Sequence, residues 1–212
     1  EDIHLAYLPN ALTGVRLRLS AYGDTSGQSE RIEAKIRELK GIIGDVIYSY
    51  EDDTLENCIG KLLKGHGKTL STAESCTGGL IASIITSVPG ASEYYLGSVV
   101  SYANSVKQEI LEVPEEILST HGAVSSECVA AMAEGVRKAT GTDFSVATSG
   151  IAGPGGGSPE KPVGLVWIGV SSEQGTETFK LIFNSDRKRN IERFASSALH
   201  KIQIKNKKEL NN

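Results

Sequence analysis

Cysteine is scarce in this chain, and what there is forms no pattern. Cys58, Cys76 and Cys128 are three in number and lack metal-ligand spacing, so they suggest neither a disulfide framework nor a metal site. That usage points to a reducing, cytoplasmic setting. No apolar run is long enough to span a bilayer, and nothing resembles a signal peptide, so no membrane partner is expected. A strong basic balance is also missing: the net charge is -4, which argues against general nucleic-acid or membrane-surface binding. No His or Asp has an obvious triad partner. The chain opens on Glu1 rather than Met, which suggests a fragment.

What is present is a set of hydroxyl- and glycine-rich junctions between strands and helices. In Thr69–Leu80, β-prone residues run into Glu74-Ser75-Cys76-Thr77-Gly78-Gly79. A helix follows, with Leu80, Ile81, Ile84 and Ile85 at helical spacing. The first N–H groups of such a helix lack intrahelical partners and carry partial positive charge, so an anion or a developing oxyanion would be stabilised there. Gly78 and Gly79 permit close backbone approach. The plainer alternative is that Ser75 or Thr77 is only an N-cap.

The N-terminal part reads as a small module. Residues 1–10 look like a connecting segment with Pro9-Asn10 as a turn signal, and Gly14–Tyr22 alternates as a half-buried strand. Asp24–Gln28 is a polar loop. Ile32, Ile36, Leu39 and Ile43 mark a helix face, and Val46–Tyr50 a returning strand, giving β-α-β. Gly41-Ile42-Ile43-Gly44 matches the Gly-x-x-Gly clamp of KH nucleic-acid modules on paper, but no basic residue follows it, and a helix C-cap and turn accounts for it better.

Acidic residues 51–53 mark a boundary that divides the chain into 1–52 and 53–212. Asp53 is the expected cap of a helix bearing Leu55, Ile59, Leu62 and Leu63. After the Ser75 helix, Tyr94–Tyr102 reads as a strand, and Asn104 or Ser105 as the cap of a helix with Lys107 in its first turn. Pro114 opens a short helix. Ser125 caps a longer one with Val129, Met132, Ala133 and Val136 inside and Gly141 as the stop. Phe144–Thr148 and Val163–Ser171 are strands flanking a glycine-rich loop, in which Ser149, Gly150 and Gly153 look shaped to approach a ligand.

Thr176–Phe183 finishes the sheet, and a last helix follows a Ser185 or Asp186 cap. Its first turn holds Arg187, a cation where the helix dipole disfavours one and hence a candidate anion ligand. Lys205–Asn212 reads as a frayed tail. Alternating strands and helices imply a three-layer α/β/α domain behind a small α+β module, with Ser75, Tyr102, Lys107, the Ser149–Pro154 loop and Arg187 gathered at the strand ends.

Several of these segments together carry a family resemblance: 73–79 (AESCTGG), 101–104 (SYAN), 121–125 (HGAVS), 149–154 (SGIAGP), 161–164 (KPVG) and Asp186-Arg187. Residues 55–204 resemble the C-terminal, nicotinamide-nucleotide amidase domain of the competence/damage-inducible CinA proteins, and the module before them is similar to that family's KH-like middle domain. The family's molybdopterin-binding-like first domain is not matched, and its activity and metal are not carried over. One departure is Asn184-Ser185 before Asp186, where a Gly is common in the family.

The resemblance implies hydrolysis of the carboxamide of nicotinamide mononucleotide without metal or cofactor, and self-association. It puts the nucleophile on Ser75, the general base on Lys107 and the assisting Tyr on Tyr102. A Lys acts as base only when neutral, so Lys107 needs a depressed pKa. N–H groups near Cys76 and Thr77 are then candidates for the oxyanion, and the Gly150–Gly155 loop and Arg187 for the phosphate. Two other readings stand beside this one: a Cys76–His121 amidohydrolase, and a catalytically silent nucleotide-binding or interaction module.

Overall fold

A computed structural model of the chain describes residues 3–10, 14–23 and 26–210, Asp45 by its backbone alone. Its first unit is a hairpin of β1 (Ile3–Asn10) and β2 (Gly14–Ala21), antiparallel from Ile3↔Ala21 to Asn10↔Gly14, followed by α1 (Gln28–Ile43). The expected connecting segment at 1–10 is therefore a strand over its described part. Both strands are edges of a two-stranded sheet, which is why Pro9 is tolerated near the end of β1 and why little of its alternation is buried. The polar loop expected from Asp24 begins outside the described residues.

Val46–Tyr50 does not return as a strand. α1 tightens into a short 3-10 turn at Gly44–Val46, and Tyr48 packs on the core of the main domain instead of pairing with β2, so the unit is β-β-α rather than β-α-β. Gly44 is the C-cap of α1, its N–H donating to Lys40 O, which makes the Gly-x-x-Gly run a helix end.

The main domain is built on a five-stranded sheet in the order β4-β3-β5-β6-β7, formed by β3 (Leu70–Glu74), β4 (Tyr95–Val100), β5 (Phe144–Gly150), β6 (Leu165–Ser172) and β7 (Gly175–Ile182). β4, β3 and β5 are parallel, whereas β6 and β7 each run antiparallel to their neighbour. The period-two rule divides the side chains of the central strands between two cores. Leu70, Phe144, Val146, Val166, Ile168 and Val170 face the layer of α2 (Leu55–Gly65), α3 (Leu80–Thr86) and α7 (Arg187–Leu210). Ala73 and Ala147 face the layer of α4 (Asn104–Leu111), α5 (Glu115–Thr120) and α6 (Ser126–Thr140).

The helix boundaries follow local chemistry, with three departures. Ser125 caps α6 by accepting from Cys128 N, and Gly141 closes it in the left-handed region, as the sequence implies. α2 is capped by Thr54 rather than Asp53; the Asp53 carboxylate accepts from Thr54 N and pairs with Lys61 instead. α4 has Ala103 as its N-cap and no side-chain cap, so neither Asn104 nor Ser105 serves. The expected frayed tail is helix through Leu210, because buried Lys205 pairs with Glu177 and Glu209 and so anchors the last turns to β7.

Candidate active site

The direction of the strands brings the site together. β3, β4 and β5 end on one edge of the sheet, and because β6 and β7 alternate in direction, β6 starts and β7 ends on that same edge. Ser75, Ser101-Tyr102, the 151–164 loop and the start of α7 therefore meet there.

Lys107 lies in the first turn of α4 and is 1% exposed. Its Nζ is 3.3 Å from Ser75 Oγ, 2.6 Å from Ser101 O and 3.4 Å from Tyr102 O. No carboxylate lies within ion-pair distance among the described residues. Burial without a counter-ion holds the amine below its ordinary pKa, although the neighbouring Cys128 and Cys76 thiols pull slightly the other way. In the neutral form, two N–H bonds satisfy the two carbonyls and the lone pair is left for the Ser75 hydroxyl; in the ammonium form all three oxygens accept from Nζ.

The helix terminus after Ser75 differs from the expectation of free N–H groups. Gly79 is the N-cap in the left-handed region (φ 98°), with no cap from its own side chain, so neither Ser75 nor Thr77 fills that role. The cap is the buried carboxylate of Glu74, which accepts from Gly79 N, Ile81 N and Ala82 N at 3.0, 3.1 and 2.8 Å. Sequence reasoning missed this residue. The signal was a lone acid at the inner end of a strand whose other residues are all buried. Ser75 N donates to Thr148 O and Gly78 N to Ser75 O, and the N–H groups of Cys76 and Thr77 remain outside both the turn's own bonds and the Glu74 cap.

The other candidates are arranged around this pair. Tyr102 is 63% exposed and its phenol accepts from Arg187 Nη2 at 3.2 Å, so it is the carbonyl of Tyr102, not its hydroxyl, that meets Lys107. Arg187 Nη1 donates to Gly153 O at 2.7 Å, and Asn190 Nδ2 ties Ala152 O to Ser185 O, fastening the glycine loop to the start of α7. Asp186 caps that helix through Arg189 N. Thr77 and Thr148 share a hydroxyl bond of 2.8 Å, whereas Ser149 Oγ is turned to Ala123 O at 2.6 Å. Gly150 sits against Leu165 and Cys76 Sγ, with no room for a Cβ. Gly78 and Gly79 both adopt positive φ in the turn.

Cys76 and His121 are not paired. Burial pushes the Cys76 thiol up to about 12, which suppresses the thiolate, and His121 instead faces Glu127 at 3.8 Å. Among the described residues no group of three or more His, Cys, Asp or Glu is arranged to hold a metal, and no helix is long and apolar enough to cross a membrane. A cleft of about 740 Å³ between α2, α3 and α7 borders the site through Arg187, but Ser75 and Lys107 do not line it.

Residues 52–205 match the model of the CinA C-terminal domain. A CinA-like protein of Salinibacter ruber is 48% identical over 206 residues, 96% of this chain and 49% of that protein, and one of Cytophaga hutchinsonii is 46% identical over 200 residues, 94% and 48%. The chain thus spans about half the length of the curated relatives it matches. Among solved structures, a competence/damage-inducible protein of Agrobacterium tumefaciens superposes with a TM-score of 0.69 at 37% identity, covering 74% of this chain and 94% of that one. A CinA superfamily protein of Enterobacter cloacae gives 0.70 at 31%, covering 74% and 96%. By sequence, by fold and by the ordered motifs that converge on one sheet edge, the chain belongs to the CinA C-terminal domain family.

Proposed function

We propose that the chain is an amidohydrolase that converts nicotinamide mononucleotide to nicotinate mononucleotide and ammonia through Ser75 and Lys107. The observation that carries this reading is the buried amine of Lys107, which has no counter-ion among the described residues and sits 3.3 Å from a serine hydroxyl at a helix entrance. Neutral Lys107 takes the Ser75 proton while Oγ bonds to the carboxamide carbon and the carbonyl π pair moves to oxygen. The N–H groups of Cys76 and Thr77 are the donors available to that oxyanion, each worth about 3 kcal/mol in such sites. Collapse breaks the C–N bond, and the amide nitrogen leaves as ammonia with the proton from Lys107. Water then attacks the acyl-Ser75 ester, Lys107 again takes a proton, and the carboxylate is released with Ser75 restored.

Tyr102 acts in this reading through its carbonyl, which helps hold the amine, and through its phenol, which orients Arg187. Two of the five N–H groups of Arg187 are engaged, so others are free for the phosphate beside the glycine loop. Ammonia release from nicotinamide mononucleotide is the test. The Ser75→Ala variant is expected to lose at least about 10³-fold in kcat. Calorimetric binding of the mononucleotide without ammonia release by the wild type would replace this reading with a nucleotide-binding module.

A further inference from the structure

Glu74 immediately precedes Ser75, is fully buried and has no cation within ion-pair distance among the described residues. A buried carboxylate is costly unless its oxygens are filled, and here three backbone N–H groups fill them. The turn that carries the nucleophile is thereby clamped at both ends. Ser75 N is held by Thr148 O at 3.0 Å, and Gly79 N by the Glu74 carboxylate at 3.0 Å. Cys76 and Thr77 lie between those two points. The main chain of the same residue also reaches the base: Glu74 O accepts from Ser101 N at 2.9 Å, and Ser101 O accepts from Lys107 Nζ at 2.6 Å.

We propose that Glu74 is a positioning residue for the Ser75–Lys107 pair, its carboxylate serving as an internal anion that occupies the start of α3 and fixes the Ser75–Gly79 turn. The proposal rests on the Ser/Lys reading above. It also implies that α3 offers no site for an anionic substrate group, because its N–H groups are already taken.

The test compares wild type, Glu74→Gln and Glu74→Ala in the full chain. Three quantities are read: the rate at which a fluorophosphonate phosphonylates Ser75 with loss of fluoride, followed by intact mass; kcat and KM for ammonia release from nicotinamide mononucleotide; and thermal stability. Gln keeps one acceptor oxygen but sets an NH₂ against a backbone N–H, so labelling and kcat are expected to fall about tenfold to 10²-fold with KM unchanged. In Glu74→Ala the vacated N–H groups can be met by an added carboxylate. Formate is expected to restore labelling about tenfold, and chloride at equal ionic strength to restore none.

Folded variants that label at the wild-type rate would overturn the proposal. So would formate that raises thermal stability without raising the labelling rate, since that is the signature of a merely structural cap. Loss of folded structure in both variants by circular dichroism would make Glu74 a folding residue and overturn it as well. A wild type that labels at Ser75 but releases no ammonia refutes the substrate and leaves the Glu74 comparison intact. A wild type that labels no faster than Ser75→Ala refutes the pair and Glu74 with it.

Discussion

Lys107 carries a stability penalty along with its proposed chemistry. Its pKa lies below the ordinary 10.5 through burial, so between the folded and the unfolded value the unfolded chain holds a proton that the folded chain does not. Its contribution to stability therefore improves as pH rises through that window, and at lower pH the buried ammonium imposes its full cost. Lys107→Met is expected to abolish ammonia release while stabilising the fold by about 1–3 kcal/mol near neutrality, a gap that narrows towards pH ~10. Thermal melts at two pH values check the sign. In the wild type, kcat/KM should rise with pH along a single-proton limb whose midpoint lies below 10.5.

At Cys76 the outcome is reversed. With its thiol pushed up to about 12, Cys76→Ala is expected to keep kcat within about threefold, and iodoacetamide should leave Cys76 unmodified near neutral pH. The placement of Ser75 and Lys107 at hydroxyl-rich strand-to-helix junctions was legible in the sequence, whereas the roles expected of them came from the family resemblance. Glu74 was not, because a charged residue at a strand end ordinarily reads as solvated and only the fold shows that it turns inward.

Helix α4 delivers Lys107, and its placement depends on α6. A Cβ on Gly135 would come within 2.0 Å of Leu111 O, a backbone atom four residues beyond Lys107. Gly135→Ala must therefore push α4 outward. It is expected to cost about 2 kcal/mol or more in denaturant unfolding and to lower kcat about 10²-fold through the displaced amine. Gly141→Ala, at the left-handed C-cap of α6, is the control: about 1 kcal/mol lost and kcat unchanged. The α6 boundaries were readable because Ser125 and Gly141 are strong local signals. The end of α7 was not, since burial of Lys205 depends on Glu177 from β7, a contact no local window contains.

For the molecule as a whole, the division near residue 52 becomes a measurable claim. The solved relatives cover 70–74% of this chain while being covered themselves to 92–96%, so the sheet domain occurs with little else attached. The N-terminal unit touches it through Tyr48 and through Lys207 Nζ on Ile47 O at 2.7 Å. A chain beginning at Asp53 is expected to fold, to label Ser75 within about twofold of the full chain, and to melt a few degrees lower for want of Tyr48. Circular dichroism and intact mass decide this. The three-layer architecture was legible from strand and helix alternation. The reversal of β6 and β7 was not, because alternation fixes neither strand order nor direction.

That reversal has a consequence for how the fold can diversify. Residues 151–164 link two neighbouring antiparallel strands, and the sheet pins both ends of the excursion, with Ile151 N on Leu165 O and Gly164 N on Ile151 O. Loop closure grows only logarithmically with length, so the span between Pro154 and Lys161 can gain or lose residues at small cost. On the proposed reading, substrate preference can then drift by rewriting a tethered flap, while Ser75, in the turn after β3, and Lys107, on α4, stay on elements that the rewriting does not touch.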